Sequence, residues 1–393
     1  MTPIERARVD DVLPVLRCPT CGGDIDLVRF DEANGVFECT GICGASWPHI
    51  GGIPRFVETD LLVTATSYQR YLEEYERELA DLGVEFEQPS PSDEDQSASL
   101  EQHTNDYFGH SWAEGAAWGW IDESDVPEGE RLQFEGGTIQ ATESAWNSKA
   151  LMSRADVAPD KLILDAGCGN GRFSEMAARD GATVVSVDIG TPTVETAYEN
   201  LDGRENVHVV QGNLFELPFA AESFDTAFSI GVLHHTGDAR RAFESVADCV
   251  RDGGVLTVTV YHKLNPVWMV VNAALRSWST DLSIEEGERF ARRLARIARV
   301  VHNVHPMLLH GLNLLFRIQP TERHMFDWYS APVASFHTYS EVERWFLEQG
   351  FTIVNSNKPA DYDDRVLLKP WAATVKGAKS DEAGSGGFYP YFE

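Results

Sequence analysis

Three groups of residues have the types and spacing to do chemistry. The first is the stretch LILDAGCGNGRF, where an apolar run ends at Asp165-Ala166 and gives way to Gly167, Gly169 and Gly171. Glycines at alternate positions let backbone N–H groups approach a ligand that any side chain would hold away. A second apolar run closes on Asp188, an acid placed to accept hydrogen bonds from two ribose hydroxyls. The second group is Cys18-x2-Cys21 with Cys39-x3-Cys43, paired thiols at the spacing that grips a tetrahedral metal ion. The third is His234-His235 in GVLHH, imidazoles that titrate near neutrality and suit proton transfer.

The neighbours of the glycine turn separate the nucleotides it might hold. A triphosphate loop needs Lys followed by Ser or Thr after its last glycine, and here Arg172 and Phe173 follow Gly171. A dinucleotide turn needs its third glycine at position 172, where Arg stands. Asp165, opening the loop, would repel a phosphate but suits the ammonium group of an amino acid. That combination points to S-adenosylmethionine.

These residues need a frame. Strand patterns KLILDA, ATVVSVD, VHVVQG, FDTAFSIG, GGVLTVTVY, FTIVNSN and VLLKPWAATV alternate, over the first five, with helical stretches. The alternation predicts an α/β domain over 158–378, a doubly wound, mostly parallel seven-stranded Rossmann-like sheet with the last strand able to return antiparallel at an edge. A helical insertion is expected at 265–321, with Phe290, Leu294, Ile297 and Val301 on one face of a helix and Arg289, Arg292, Arg293, Arg296 and Arg299 on another. Residues 1–62 read as a zinc ribbon stabilised by structural zinc on its four cysteines, with no open position for catalysis. Residues 63–157 read as a helical, acidic linker and lid, with Trp112, Trp118 and Trp120 packing on the main domain or walling a pocket. A polar, flexible stretch begins at residue 88, and 379–393 reads as a flexible tail.

The series LDAGCGNG, VDIG, GNLFELPF, FDTAFSIGVLHH and RDGGVLTV resembles the class I S-adenosylmethionine-dependent methyltransferases, in particular the small-molecule group with the ubiquinone and menaquinone C-methyltransferases. It covers residues 160–262 and continues in HTYSEVERWFLEQGF. The resemblance implies that Gly167, Gly169 and Gly171 admit the cofactor, with Asp165 near its amino end and Asp188 on its ribose. It implies that Asn213, where the family commonly has Asp, meets the adenine amino group, and that Ile230 and Gly231 border the methionine moiety. His234 is the expected base, where one is needed, and His235, Asp327, Tyr329 and His337 are expected to face the acceptor. The cysteine stretch, with Trp47-Pro48 and Gly52-Ile53-Pro54, resembles the Trm112-like zinc ribbons, which as separate proteins activate methyltransferases acting on tRNA, rRNA or translation factors. Three functions therefore stand: methyl transfer to a small-molecule or lipid-linked acceptor, methyl transfer to RNA or protein, and adenosyl binding without catalysis. LPF and GVLHH favour the first, and the amide-methylating NPPY or DPPY is missing after the fourth strand.

The 393 residues carry a formal charge of −30, with 7 Lys and 25 Arg among the bases. Acid spread over most of the chain resembles proteins of salt-loving cells, where screening relieves self-repulsion. Net charge then says little about partners, and nucleic acid is disfavoured by the motifs and not by the charge. The polar first residues lack a signal peptide's apolar core and no run is long enough to span a bilayer, so a cytoplasmic protein is expected. The apolar stretches flanking the arginine helix suit either a cap over the site or peripheral contact with a membrane through 265–321.

Overall fold

The computed structural model describes residues 9–63, 65–87, 100–360 and 370–380. The polar stretch expected from residue 88 lies outside the described residues up to 99, as does the tail from 381. Four short strands come first: β1 (Ile25–Arg29), β2 (Gly35–Cys39), β3 (Ser46–Ile50) and β4 (Ile53–Phe56), each antiparallel to the next. Helices α1 (Thr66–Glu74), α2 (Glu76–Leu82), α3 (Leu100–Glu114) and α4 (Ile139–Lys149) follow. Strands and helices then alternate: β5 (Leu162–Ala166), α5 (Arg172–Ala178), β6 (Thr183–Asp188), α6 (Thr191–Asn200), β7 (Val207–Gly212), β8 (Phe224–Ile230), α7 (Ala239–Asp248) and β9 (Val250–Tyr261). Helices α8 (Pro266–Ser279), α9 (Ile284–Val304), α10 (Pro306–Asn313), α11 (Glu322–Tyr329) and α12 (Tyr339–Glu348) lead to β10 (Phe351–Ser356) and β11 (Ala372–Lys379).

Strands form at all seven expected places, the last as Ala372–Lys379 with the start of its expected run, 366–369, outside the described residues, but the sheet has eleven, in the order β1-β2-β3-β4-β7-β6-β5-β8-β9-β11-β10. The four added strands are those of the cysteine-bearing segment. β4 lies parallel to β7, with Arg55 opposite Gln211 and Phe56 opposite Gly212. The pairing has a physical reason: all six residues of β7 are buried, and without β4 its outer edge would leave backbone groups unpaired. Arg55, only 2% exposed, donates to Gln211 Oε1 at 2.9 Å and pairs with Glu195 at 3.0 Å. Gln211 Nε2 in turn donates to Ile189 O and Thr191 Oγ1, both at 2.8 Å. The last strand also departs from expectation. β11 runs antiparallel between β9 and β10, and β10 takes the edge.

The core is built where the strands read as unbroken apolar runs, as burial on both faces of a parallel sheet requires. Ile163, Leu164, Val184, Val185, Ala227 and Phe228 are fully buried. In the insertion, α9 packs on α11 through Gly287, Ala291 and Ala295, and Ala298 packs with Leu309 of α10. A Cβ at Gly287 would lie 2.6 Å from Ser330 Oγ, so the close approach of the two helices selects small residues. The larger side chains expected on the buried face are displaced to one side: Phe290, Leu294 and Val301 are half-buried and Ile297 is 51% exposed. Among the described residues no helix is long and apolar enough to cross a membrane.

Candidate functional site

The glycine turn leaves β5 at Ala166 and enters α5 at Arg172. Gly167 N and Cys168 N both donate to Val187 O, at 2.8 and 3.0 Å, which ties the turn to β6. Asp188 completes the tie: Oδ2 accepts from Gly169 N at 3.0 Å and Oδ1 from Gly190 N at 3.2 Å. Gly167 and Gly169 have φ of 87° and 55°, where a Cβ is disfavoured. A Cβ would also strike Val232 at the first and Trp112 at the second, 2.4 and 2.8 Å away. The turn therefore presents bare backbone to a cleft.

Gly167, Gly169, Asp188, Asn213, Ile230, Gly231 and His235 all line that cleft. Burial pushes the Asp188 carboxyl up from its ordinary value, while the backbone N–H groups of Gly169 and Gly190 act against that rise. Asn213 Oδ1 accepts from Phe215 N at 3.0 Å, fixing the loop after β7. Asp165 and Gly171 do not line the cleft. Asp165 is 1% exposed and accepts from Ser174 Oγ at 2.6 Å, and Ser186 Oγ donates to Ser174 Oγ at 2.9 Å. The chain Asp165–Ser174–Ser186 thus pins α5 to β5 and β6, and burial lifts the Asp165 carboxyl to about 7. Gly171 has φ of 83° and caps α5 against Leu201.

The two histidines part company. His235 Nδ1 lies 2.6 Å from Val333 O; a carbonyl only accepts, so Nδ1 carries the hydrogen and Nε2 is left as the basic nitrogen. Burial holds this imidazole down to about 4, neutral at physiological pH. His234, the expected base, is 0% exposed and stacks on Tyr261 with ring centroids 3.8 Å apart. Neither of its ring nitrogens has a partner among the described residues, and it does not line the cleft. Of the four expected acceptor contacts His235 lines the cleft, and the other three lie off the lining. Asp327 accepts from Ser111 Oγ at 3.0 Å, Tyr329 donates to Arg317 O at 2.7 Å, and His337 Nε2 is 2.8 Å from Ser335 Oγ.

Thr104 and Phe108 escaped the sequence reading, whereas Trp112 takes one of the two places expected for it, on the wall of the cleft. Thr104, Phe108 and Trp112 enter the cleft from α3, spaced four apart so that they share one helix face. Arg172, Phe215 and Val232 complete the wall. Of the three clustered tryptophans only Trp112 lines the cleft; Trp118 packs on Gly137 and on the His324 ring. The i, i+4, i+8 spacing was readable, but the helix lies in so acidic a segment that its inward face was obscured.

Away from the cleft, the thiols of Cys18, Cys21, Cys39 and Cys43 all lie within 4.8 Å of one another, from the segment before β1, the last residue of β2 and the turn after it. Cys18 and Cys43 sulfurs are 3.5 Å apart, as are Cys21 and Cys39. The Gly23 N–H and the neighbouring sulfurs draw the Cys21 thiol down to about 6. Four convergent thiols of this closeness fit a single tetrahedral metal ion.

Residues 164–258 match the family described as a methyltransferase domain. Among curated relatives, malonyl-[acyl-carrier protein] O-methyltransferase of Salmonella typhimurium is 31% identical over 115 residues, 28% of this chain and 45% of the relative. Ubiquinone biosynthesis O-methyltransferase of Erwinia tasmaniensis is 30% identical, covering 28% of this chain and 46% of the relative. tRNA U34 carboxymethyltransferase of Desulfotalea psychrophila is also 30% identical, covering 29% and 38%. The chain thus spans less than half the length of these relatives. Of solved structures, magnesium protoporphyrin IX methyltransferase of Synechocystis superposes with a TM-score of 0.42 at 17% identity, over 70% of this chain and 98% of that one.

Proposed function

We propose that this protein, built around a methyltransferase domain, moves a methyl group from S-adenosylmethionine to a small-molecule or lipid-linked acceptor. The observation that carries the reading is the glycine turn itself, stitched to β6 by Asp188 and open to the cleft at Gly167, Cys168 and Gly169. The residues present fit the donor. A Cβ at Gly167 or Gly169 would already be in collision, so the turn keeps a cradle that only bare backbone can line. Asp188 would take the ribose hydroxyls, Asn213 would stand at the adenine, and Ile230 and Gly231 would border the methionine part. When bound, the donor would supply a methyl on a sulfonium sulfur, open to in-line attack by an acceptor lone pair with the neutral thioether as leaving group. The chain's part is to align that lone pair and keep water out. His235 Nε2, neutral and facing the cleft, would take the proton of an oxygen, nitrogen or carbon acid, in place of His234.

The acceptor class rests on the walls: Phe108, Trp112, Phe215 and Val232 make the cleft largely apolar. The insertion adds to it. Val270, Trp278, Val300, Val304 and Met307 are each more than half exposed, and Arg289, Arg293 and Arg296 stand beside them with no ion pair among the described residues. Apolar side chains interleaved with arginines suit an anionic lipid surface, which would deliver a lipid-linked acceptor. The four thiols suit structural zinc, and metal analysis of purified protein should return about one zinc per chain. A second reading, methyl transfer to RNA or protein, is favoured by the zinc-ribbon likeness. Labelled donor, incubated with lipid extract, RNA and protein of the source cell, separates the two. Label in the lipid or small-molecule fraction is expected; label confined to RNA or protein would replace the first reading with the second. Calorimetry with S-adenosylhomocysteine tests the donor site, and no heat in either low or molar salt would overturn the methyltransferase reading.

A further inference from the structure

The helical insertion turns apolar side chains outward. Among the described residues, nine of the twelve large apolar side chains that are half or more exposed fall in the stretch 267–315. The exposed positions of α8, running from Pro266 through Val270 to Trp278, carry no charge. Its one charged residue points inward instead: Arg276 is buried and donates through Nη2 to Ala331 O at 2.7 Å. A helix face that meets water ordinarily has the reverse pattern.

The face continues onto the next two helices. Trp278 meets Phe290 of α9 edge-on, with ring centroids 5.1 Å apart. From Phe290 the exposed Ile297 and Val304 follow at intervals of seven, and Val300 lies one turn before Val304. At that end α10 packs its Leu309 with Ala298 and Val301 of α9, while Met307 and Leu308 are left exposed. Apolar side chains grouped in this way on adjoining helices mark an interaction surface.

Charge indicates what covers it. Residues 289–321 hold six arginines and no acid, in a chain with 62 acids for 32 bases. Arg292 and Arg299 turn to Glu322 of α11, at 3.4 and 3.1 Å. Arg289, Arg293 and Arg296, at i, i+4 and i+7 on α9, are exposed and have no ion pair among the described residues. Arginines beside outward apolar side chains complement a surface that is anionic outside and apolar within. RNA offers the charge, but aliphatic side chains give a base no stacking platform. A second copy related by a two-fold axis would set arginine against arginine.

We propose that α8, α9 and α10 dock the protein on an anionic lipid bilayer. Trp278, Val300 and Met307 enter the headgroup boundary, and Arg289, Arg293 and Arg296 stand at the lipid phosphates. Glu288, which precedes Arg289, is 2.9 Å from His110 Nε2 of α3, the helix whose Phe108 and Trp112 wall the cleft. The docking face is therefore one helix away from the cleft, close enough for the bilayer to present a lipid-linked acceptor. This deepens the proposed choice of acceptor, and only that presentation rests on the methyltransferase reading; docking does not.

The test is flotation of the full chain with vesicles of phosphatidylglycerol or of phosphatidylcholine in about 0.1 M KCl. Phosphatidylglycerol vesicles are expected to carry the protein, with an affinity about tenfold or more above that for phosphatidylcholine. Arg289→Gln, Arg293→Gln and Arg296→Gln together should weaken that binding about a hundredfold, about fivefold for each arginine. Trp278→Ser should weaken binding to both lipids about tenfold. No flotation with phosphatidylglycerol, or equal flotation of wild type and triple variant, would overturn the proposal. So would an arginine-dependent complex with oligouridylate in place of vesicle binding, which assigns the face to RNA. A dimer abolished by Trp278→Ser, again without vesicle binding, overturns it in favour of a second copy. S-adenosylhomocysteine affinity should be unchanged in every variant, which also checks the fold. If the wild type binds no S-adenosylhomocysteine, the donor reading fails while flotation still decides docking, and far-UV circular dichroism checks the fold instead. Arg293→Gln alone, with its about fivefold loss, replaces the triple variant if that protein does not fold.

Discussion

Asp188 accepts Gly169 N at 3.0 Å and Gly190 N at 3.2 Å, so one carboxylate both shapes the glycine turn and faces the ligand. Asp188→Asn keeps the size but removes the charge and half the accepting capacity. Calorimetry should show S-adenosylhomocysteine affinity falling about tenfold to a hundredfold, the worth of a charge-assisted hydrogen bond. An unchanged affinity would remove Asp188 from the site. His235 is the second residue to test. Its Nδ1 donates to Val333 O, which leaves Nε2 as the accepting nitrogen of a cleft-lining ring, and its pKa of about 4 keeps Nε2 unprotonated, though weakly basic, at neutral pH. His235→Gln is expected to lower kcat by about a hundredfold where the acceptor must lose a proton. The wild-type pH profile should then carry no step from this group until acid pH, where protonation of Nε2 lowers the rate. The glycines and Asp188 were legible because a turn and a strand end are local. Which of two adjacent histidines faces inward was not, because Val333, distant in sequence, decides it.

At the level of elements, the seven strands of the α/β sheet announce themselves by apolar runs, whereas their order, β7-β6-β5-β8-β9-β11-β10, is set by the fold. The junction of β4 with β7 leaves no local mark: Arg55 and Gln211 are far apart in sequence, and only the fold makes them partners. The same holds for α3, whose inward face of Thr104, Phe108 and Trp112 is set by the cleft it covers. The junction predicts that the four thiols and the donor site are coupled, through β4, Arg55 and the Gln211 bonds to Ile189 O and Thr191 Oγ1. Removing metal with a strong chelator should lower the thermal midpoint, because so small a unit has little core of its own. It should also weaken S-adenosylhomocysteine binding several-fold. A midpoint and an affinity both indifferent to chelation would mean that the ribbon stands without metal.

On the scale of the whole molecule, the charge of −30 opposes compaction through self-repulsion. Raising KCl from about 0.1 M to about 1 M shortens the screening length from about 10 Å to about 3 Å, and the thermal midpoint should rise by several degrees. A midpoint that falls or stays level would show that repulsion is not what limits stability. Acid acts in the other direction. His49 and His235 are held to about 4 and His324 to about 3, each below the value near 6.5 of an unfolded chain. The unfolded chain therefore takes up protons first, so this stability is complete above about pH 6.5 and is lost as pH falls towards 4 and 3. Thermal melts between about pH 7 and pH 5 should show the midpoint dropping by several degrees. The strand β4 carries one more consequence, for concentration. A strand supplied by the same chain meets β7 at an effective concentration fixed by the tether and not by the solution, commonly in the millimolar range. Dilution does not detach it, and a separate ribbon added in excess finds the edge of β7 taken. Specific activity should therefore be flat with respect to both protein concentration and added ribbon, in contrast to an enzyme that must recruit such a unit from solution.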